Sequence, residues 1–168
     1  MGSQNERSRA QARSLLATGD QAEEVLDAND VTAQTERIIA WLATGREVVL
    51  RSAEPGGAAA AAAGPPIDAA REVAGFLGRI VASAVAAVPG VALVLTGGDT
   101  AIAAMGALAA DTFFVEREVA PGVPAGAVRV ETREGTRSVS VVTKAGGFGE
   151  NRVMIDAVAY LKGVRCSQ

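Results

Sequence analysis

The sequence predicts an α/β fold in which helices pack on a layered sheet of mixed parallel and antiparallel strands. Strand candidates alternate with amphipathic segments along most of the chain, which is typical of this class. The continuous apolar run at residues 91–95 (VALVL) suits a strand covered on both faces. Two later runs, at residues 128–132 and 138–143, flank a Glu-Gly turn and predict an antiparallel pair. With 168 residues, 49% of them hydrophobic, we expect a single domain spanning residues 1–168.

The predicted elements follow from apolar spacing and from the residues that end each run. Ser8 is a candidate cap for the first helix. Asp30 is the candidate cap of the second helix, and Gly45 is its stop signal. Pro89-Gly90 ends the third helix, which is long and amphipathic. The predicted helices cover residues 10–16, 31–44, 67–88, 99–109 and 151–161. The further strand candidates cover residues 24–27, 47–51 and 112–119. Residues 53–66 (AEPGGAAAAAAGPP) are of low complexity and predict a surface loop, and residues 121–126 (PGVPAG) predict a turn between strands.

Composition excludes several kinds of function. A net charge of −3 and a pI near 5.1 argue against a nucleic-acid partner, which would favour a basic face. The apolar stretches are too short for a membrane span, and the charged amino end does not resemble a signal peptide, so we expect a cytoplasmic protein. The absence of histidine removes Ser-His-Asp catalysis and histidine-ligated metals. The single cysteine, Cys166, cannot form an intrachain disulfide.

The clearest local signal for function is the segment LVLTGGDTA at residues 93–101. A buried strand meets Gly97 and Gly98 and then opens a helix, which presents backbone N–H groups and a positive helix end where anions bind. Thr100 adds a hydroxyl, and Asp99 could hold Mg²⁺ through water. The alternative is a tight turn in which Asp99 or Thr100 only caps the helix. The segment is not a Walker A loop, because no Gly-Lys-Ser/Thr follows.

A second glycine-rich loop, TKAGGFG, occupies residues 143–149 after a predicted strand. Gly146 and Gly147 would let the backbone lie along a nucleotide, and Lys144 could neutralise phosphate charge. The alternative is a flexible turn that carries a solvated lysine.

Taken in order, these segments resemble the C-terminal nucleotide-binding domain of the four-carbon acid sugar kinases, also called tetronate kinases. The similarity rests on TGGDTA, PGVPAG and TKAGGFG, and on an opening segment, residues 2–11, that is similar to the family's Gly-Ser-x-Ser-x-x-Thr-x-x-Gln. Asn5 stands where the family often has serine, and Ser8 where it has threonine. The resemblance covers nearly the whole chain.

The resemblance implies a role for each matching position. Gly97, Gly98, Asp99 and Thr100 would meet the phosphates of ATP or ADP, and Gly146 and Gly147 would line the nucleotide. Ser3 would contact ATP from the opening segment. Asp99, through Mg²⁺, and Lys144, directly, are the candidates for handling charge at the β- and γ-phosphates. Family members use ATP to phosphorylate sugar acids such as threonate, erythronate or 3-oxo-tetronate.

The family's N-terminal domain, which binds the sugar acid through an Asp-Asp motif, has no counterpart in these 168 residues. We therefore expect this chain alone to bind nucleotide but to lack kinase activity, because phosphoryl transfer needs donor and acceptor positioned together. The alternatives are a non-catalytic module that binds a nucleotide or another phosphorylated metabolite and regulates a partner, and a scaffold whose glycine turns are structural. The apolar helices leave room for a homodimer.

Overall fold

The computed structural model describes residues 6–53 and 66–165, and the polypeptide there forms five helices and six strands. The helices are α1 (Glu6–Leu16), α2 (Val31–Ala43), α3 (Pro66–Ala87), α4 (Gly98–Ala107) and α5 (Val153–Arg165). The strands are β1 (Gln21–Val25), β2 (Glu47–Arg51), β3 (Leu93–Thr96), β4 (Phe113–Ala120), β5 (Val123–Thr132) and β6 (Gly135–Lys144). Most of the predicted surface loop lies outside the described residues. Within them, no helix has both the length and the apolar character to cross a membrane.

The strands form two sheets that share one layer. β1 and β2 pair in parallel, and the second sheet has the order β3-β6-β5-β4. In that second sheet β3 and β6 are parallel, whereas β5 is antiparallel to both β4 and β6. The predicted α/β class with mixed strand directions is therefore confirmed.

Helices cover both faces of this layer. On one face α2 and α3 pack against β2, and α3 and α4 pack against β3, β5 and β6 through a core that includes Leu77, Ile80, Val85 and Ala104. On the other face α1 and α5 pack against β2, β5 and β6 around Met154. Because both faces of the layer are buried, the covered strands are rich in valine and leucine and do not strictly alternate apolar with polar residues.

The prediction of a turn over residues 121–126 is wrong for most of its length. Only Pro121 and Gly122 turn the chain, and Val123 already begins β5. The strand tolerates Pro124 because the pairing with β4 is irregular between Glu118 and Ala120, next to the proline. Gly126 is required by packing, since an added Cβ would overlap the carbonyl of Phe114 on β4.

Two predictions near the amino end also differ from the structure. The first strand spans Gln21–Val25 rather than residues 24–27, because parallel pairing with Glu47–Arg51 fixes its register. Ser8 lies inside α1 and does not cap it, since the helix already begins at Glu6. Asp30 does occupy the position before α2, but its side chain makes no capping hydrogen bond.

Candidate functional site

The two glycine-rich segments lie side by side at the carboxyl edge of the second sheet. Thr96, the last residue of β3, pairs with Lys144, the last residue of β6, in the parallel register. The Gly97 amide then donates to the Lys144 carbonyl oxygen at 3.0 Å. Because parallel strands end at the same edge, the turn that opens α4 and the loop after β6 face the same volume of solvent.

The turn into α4 has the geometry of an anion site. Gly97 occupies the position before the helix with φ of 94°, in the region that favours glycine, and it contributes no capping side chain. Gly98 is exposed, and a Cβ placed there would meet nothing within 4 Å. Asp99 is exposed in the first helical turn, while Thr100 is buried. The backbone can therefore approach a ligand closely at Gly98, at the positive end of the helix.

Lys144 is turned into the protein beneath the second loop. Its side chain is only 4% exposed, and its Nζ donates to the carbonyl oxygens of Ala145 and Gly146, each at 2.9 Å, and of Phe148 at 3.2 Å. Burial lowers the pKa of this ammonium, and the positive charge of Arg7 lowers it further. With three donors directed at three carbonyls, the ammonium fixes the path of the loop in this conformation.

Helix α1 holds the same loop from the opposite side. Ser8 Oγ donates to the Gly146 carbonyl oxygen and lies 3.4 Å from Lys144 Nζ. The buried Gln11 directs Nε2 at the carbonyl oxygens of Phe148, Gly149 and Glu150, at distances of 2.9–3.0 Å. These contacts bring the opening segment of the chain to residues 146–150, so three separate parts of the sequence meet at one site.

The structure brings most of the predicted site residues together. Gly97, Gly98, Asp99 and Thr100 lie at the start of α4, and Gly146 and Gly147 lie in the adjacent loop, with Gly147 exposed. Lys144 lies under that loop rather than at its surface. Ser3 lies outside the described residues.

Asp99, the candidate for holding Mg²⁺, is exposed in the first turn of α4. Within residues 6–53 and 66–165, no group of three or more carboxylate, cysteine or histidine side chains forms a metal site. A single carboxylate is nevertheless a donor set that suits Mg²⁺, which keeps several waters and takes its other ligands from phosphate oxygens.

Ser8, Gln11 and Phe148 are site residues that sequence reasoning did not assign. Ser8 and Gln11 match the threonine and glutamine of the family's opening segment, so this spacing was the signal that could have found them. Phe148 is 57% exposed, and its ring lies against Gly122, where an added Cβ would come within 3.0 Å of the ring. The β4–β5 turn therefore borders the loop as well.

The fold and the site together define an α/β domain with adjoining glycine turns at the carboxyl edge of its sheet, which suits a phosphorylated ligand. A family model described as a nucleotide-binding C-terminal domain matches residues 1–154. The chain belongs to this family, and it is the C-terminal nucleotide-binding domain of the tetronate kinase family.

Two relatives, which are similar to this chain at nearly equal sequence identity, are D-threonate kinases. The chain is 43% identical over 75 residues to the enzyme of Salmonella typhimurium and 41% identical over 93 residues to that of Bordetella bronchiseptica. These alignments cover 44% and 55% of this chain but only 17% and 22% of the two kinases. The chain therefore corresponds to a minor part of each relative's length.

Solved structures show the same fold. A domain of unknown function from Bordetella bronchiseptica, a domain-swapped dimer with bound citrate, matches 95% of this chain with a TM-score of 0.75 and 30% identity. The chain covers 39% of that structure. A Haemophilus influenzae protein has the same fold at 16% identity, with a TM-score of 0.68.

Proposed function

We propose that this chain binds Mg-ATP and Mg-ADP between the turn at residues 97–100 and the loop at residues 144–149. It would form the nucleotide half of a kinase that phosphorylates a four-carbon sugar acid. The observation that supports this most directly is the pairing of Thr96 with Lys144, because it places both glycine segments at one edge. The D-threonate kinase relatives support the class of reaction.

The phosphates would lie against the start of α4. Backbone N–H groups and the helix dipole favour negative charge there, and Gly98 leaves room for a phosphate oxygen to reach the backbone. Asp99 would hold Mg²⁺ through water, and bound Mg²⁺ would neutralise charge at the β- and γ-phosphates. Thr100 is buried behind this turn, so its hydroxyl would support the turn rather than extend toward solvent.

Lys144 would act on the nucleotide through the loop that it holds. Its donors are directed at the carbonyls of Ala145, Gly146 and Phe148, which leaves the outer face of Gly146 and Gly147 for the ligand. A direct contact with phosphate would require the ammonium to leave these partners. We therefore propose a positioning role for Lys144 and assign the direct electrostatic role to the α4 amino end and the bound cation.

The acceptor sugar acid would bind outside this chain, in the additional length that its kinase relatives possess. Phosphoryl transfer depends on holding donor and acceptor in line, a contribution of several powers of ten in rate. This chain alone would therefore bind nucleotide without measurable turnover of D-threonate. The domain-swapped dimer of the Bordetella relative supports a homodimeric assembly.

Amide chemical-shift mapping tests the location of the site. Addition of Mg-ADP to the ¹⁵N-labelled chain is expected to shift the amides of residues 97–100 and 146–149. The Glu134–Gly135 turn lies at the opposite end of β6 and is the internal control. Shifts confined to that turn, or spread evenly over the surface, would place the nucleotide elsewhere.

A further inference from the structure

An exposed phenylalanine lies in the second glycine-rich loop. Phe148 is 57% exposed, in a chain that has only four phenylalanines, one tyrosine and one tryptophan. Neither the turn at residues 97–100 nor the loop at residues 144–149 contains another aromatic residue. A single exposed apolar side chain is ordinary on a protein surface. The case for a role therefore depends on how Phe148 is held and on what lies beside it.

The backbone of Phe148 is anchored from the interior of the protein. Its amide donates to the Ala145 carbonyl oxygen at 3.1 Å. Its own carbonyl oxygen accepts hydrogen bonds from Lys144 Nζ at 3.2 Å and from Gln11 Nε2 at 3.0 Å. Both of these donors belong to buried side chains. An exposed aromatic residue is thus carried on a backbone whose amide and carbonyl are both held in place.

The ring of Phe148 lies against a glycine of a different turn. Gly122 has a φ of 72°, in the region that favours glycine, and a Cβ added there would lie 3.0 Å from Cδ1 of the ring. Any other residue at position 122 would therefore be strained and would press on Phe148. The bare backbone of Gly122 supports one side of the ring, and more than half of the surface of Phe148 stays open to solvent.

The strand order places this ring at one end of the proposed nucleotide site. β6 lies between β3 and β5 in the sheet. β5 begins where β6 ends, because Ala125 near the start of β5 pairs with Val142 near the end of β6. The turn at residues 97–100 therefore follows the strand on one side of β6, and Gly122 precedes the strand on the other side. Two strand spacings, about 10 Å, separate these strands, which is similar to the span from the phosphates to the base in an extended nucleotide.

We propose that Phe148 is the platform on which the base of the bound nucleotide stacks, an inference that rests on the proposed nucleotide function. With the phosphates at the start of α4, the ribose would lie over the exposed backbone of Gly147. The base would then reach the exposed side of the Phe148 ring. Every base has a π face, so this contact adds affinity without choosing strongly among bases.

The anchored backbone makes this contact efficient. A side chain that is already held near its bound position loses little conformational entropy when the ligand arrives. Lys144 and Gln11 fix the carbonyl of Phe148, so they would position the base platform as well as the path of the loop. Both buried side chains would thereby influence the base without touching it.

Calorimetry with two ligands separates contact with the base from contact with the phosphates. Mg-ADP carries a base, whereas Mg-pyrophosphate presents two linked phosphates without one. Phe148→Leu removes the ring but keeps an apolar side chain, and Phe148→Tyr keeps the ring. Phe114→Leu is the matched control, because Phe114 is also exposed but lies about 20 Å along β4 from its end at Ala120. Thermal unfolding of each variant reports whether the fold is intact.

We expect Phe148→Leu to weaken the binding of Mg-ADP at least about fivefold and to leave the binding of Mg-pyrophosphate unchanged. Phe148→Tyr and Phe114→Leu should bind both ligands as the wild type does. Equal affinity of the wild type and Phe148→Leu for Mg-ADP would overturn the base contact and leave the nucleotide site standing. An equal loss of both ligands would also overturn it, since the ring would then only shape the loop. A folded wild-type chain that binds neither ligand would overturn the proposed function itself, and the base contact with it.

Discussion

Thr96 and Lys144 are register partners at the carboxyl ends of two parallel strands, and the Gly97 amide continues the pairing by donating to the Lys144 carbonyl oxygen at 3.0 Å. This relationship joins two glycine segments that lie almost fifty residues apart in sequence. The amino end of α4 and a glycine-rich loop thereby lie side by side at one edge of the sheet. The proposed nucleotide site depends on this pairing more than on any single side chain.

Replacing Gly98 with valine should remove nucleotide binding while preserving the fold. Gly98 is exposed and has open space at the Cβ position, so valine can be accommodated, but its side chain would occupy the position proposed for phosphate. We expect the affinity for Mg-ATP to fall at least about tenfold, a loss of about 1.4 kcal/mol. Gly106→Val, at the other end of α4 and also in open space, is the matched control. Equal binding by Gly98→Val and the wild type would exclude this turn from the site.

Lys144→Met should destabilise the protein and weaken the binding of ATP and ADP to a similar extent. The substitution removes the charged donor that the carbonyls of Ala145, Gly146 and Phe148 share, which we expect to lower the free energy of unfolding by about 1–3 kcal/mol. Lys162→Met is the control, because this exposed lysine makes only a surface ion pair with Glu47, worth about 0–1 kcal/mol. Calorimetry with Mg-ATP and Mg-ADP then separates the roles of Lys144. A loss confined to ATP would indicate direct contact with the γ-phosphate and contradict the positioning role.

Gly126→Ala should be among the more destabilising small substitutions in the sheet. A Cβ at this position would overlap the Phe114 carbonyl on the neighbouring strand, so β4 and β5 would have to separate. Overpacking of this kind costs about 1–3 kcal/mol. Gly106→Ala, in the open part of α4, should be neutral or stabilising by up to about 1 kcal/mol. Chemical denaturation of the two variants gives the comparison, and equal midpoints would contradict the strand geometry.

Glu24 should contribute an acid-sensitive component to stability. Burial acts to raise the pKa of Glu24, but hydrogen bonds from Arg37 at 2.8 Å and Gln34 at 2.7 Å outweigh it and hold this pKa below the usual 4.5. The unfolded chain therefore takes up the proton first as the pH falls, so this contribution is present above pH 4.5 and is lost as the pH drops through the folded-state pKa.

Glu24→Gln tests this dependence, with Glu36→Gln on the exposed side of α2 as the control. The free energy of unfolding of Glu24→Gln should decline less steeply than that of the wild type below pH 4.5. The control should follow the wild-type curve. Parallel curves for all three proteins would show that Glu24 does not gain its partners on folding.

Much of the fold was predictable because its signals are local. Apolar spacing and the Pro89-Gly90 stop located α3, and the apolar run before Gly97 located β3. The turn prediction at residues 121–126 failed because proline and glycine usually break strands, whereas here Gly126 permits close strand contact. Ser8 was interpreted as a cap because its actual partner, Gly146, is distant in sequence.

The juxtaposition of the two glycine segments was predictable from the sequence, but the orientation of their side chains was not. Gly98 and Gly146 each come shortly after a predicted strand, and this local pattern can be recognised in the sequence. Parallel pairing of the two strands then brings the two glycine segments together. The inward orientation of Lys144 depends on carbonyl groups that only the folded loop presents. The sequence therefore indicated a charged group near phosphate, whereas the structure directs that charge toward the backbone beneath the loop.

Calorimetric titration of this chain with Mg-ATP, Mg-ADP and AMP is the most direct test of the proposed nucleotide site. We predict micromolar to low-millimolar binding of the first two and much weaker binding of AMP, because the site engages phosphates beyond the first (about −4 to −8 kcal/mol for the bound nucleotides). Gly98→Val measured alongside should lose this binding. Equal affinity for all three nucleotides, or no binding at millimolar concentration by a folded chain, would contradict the proposed site.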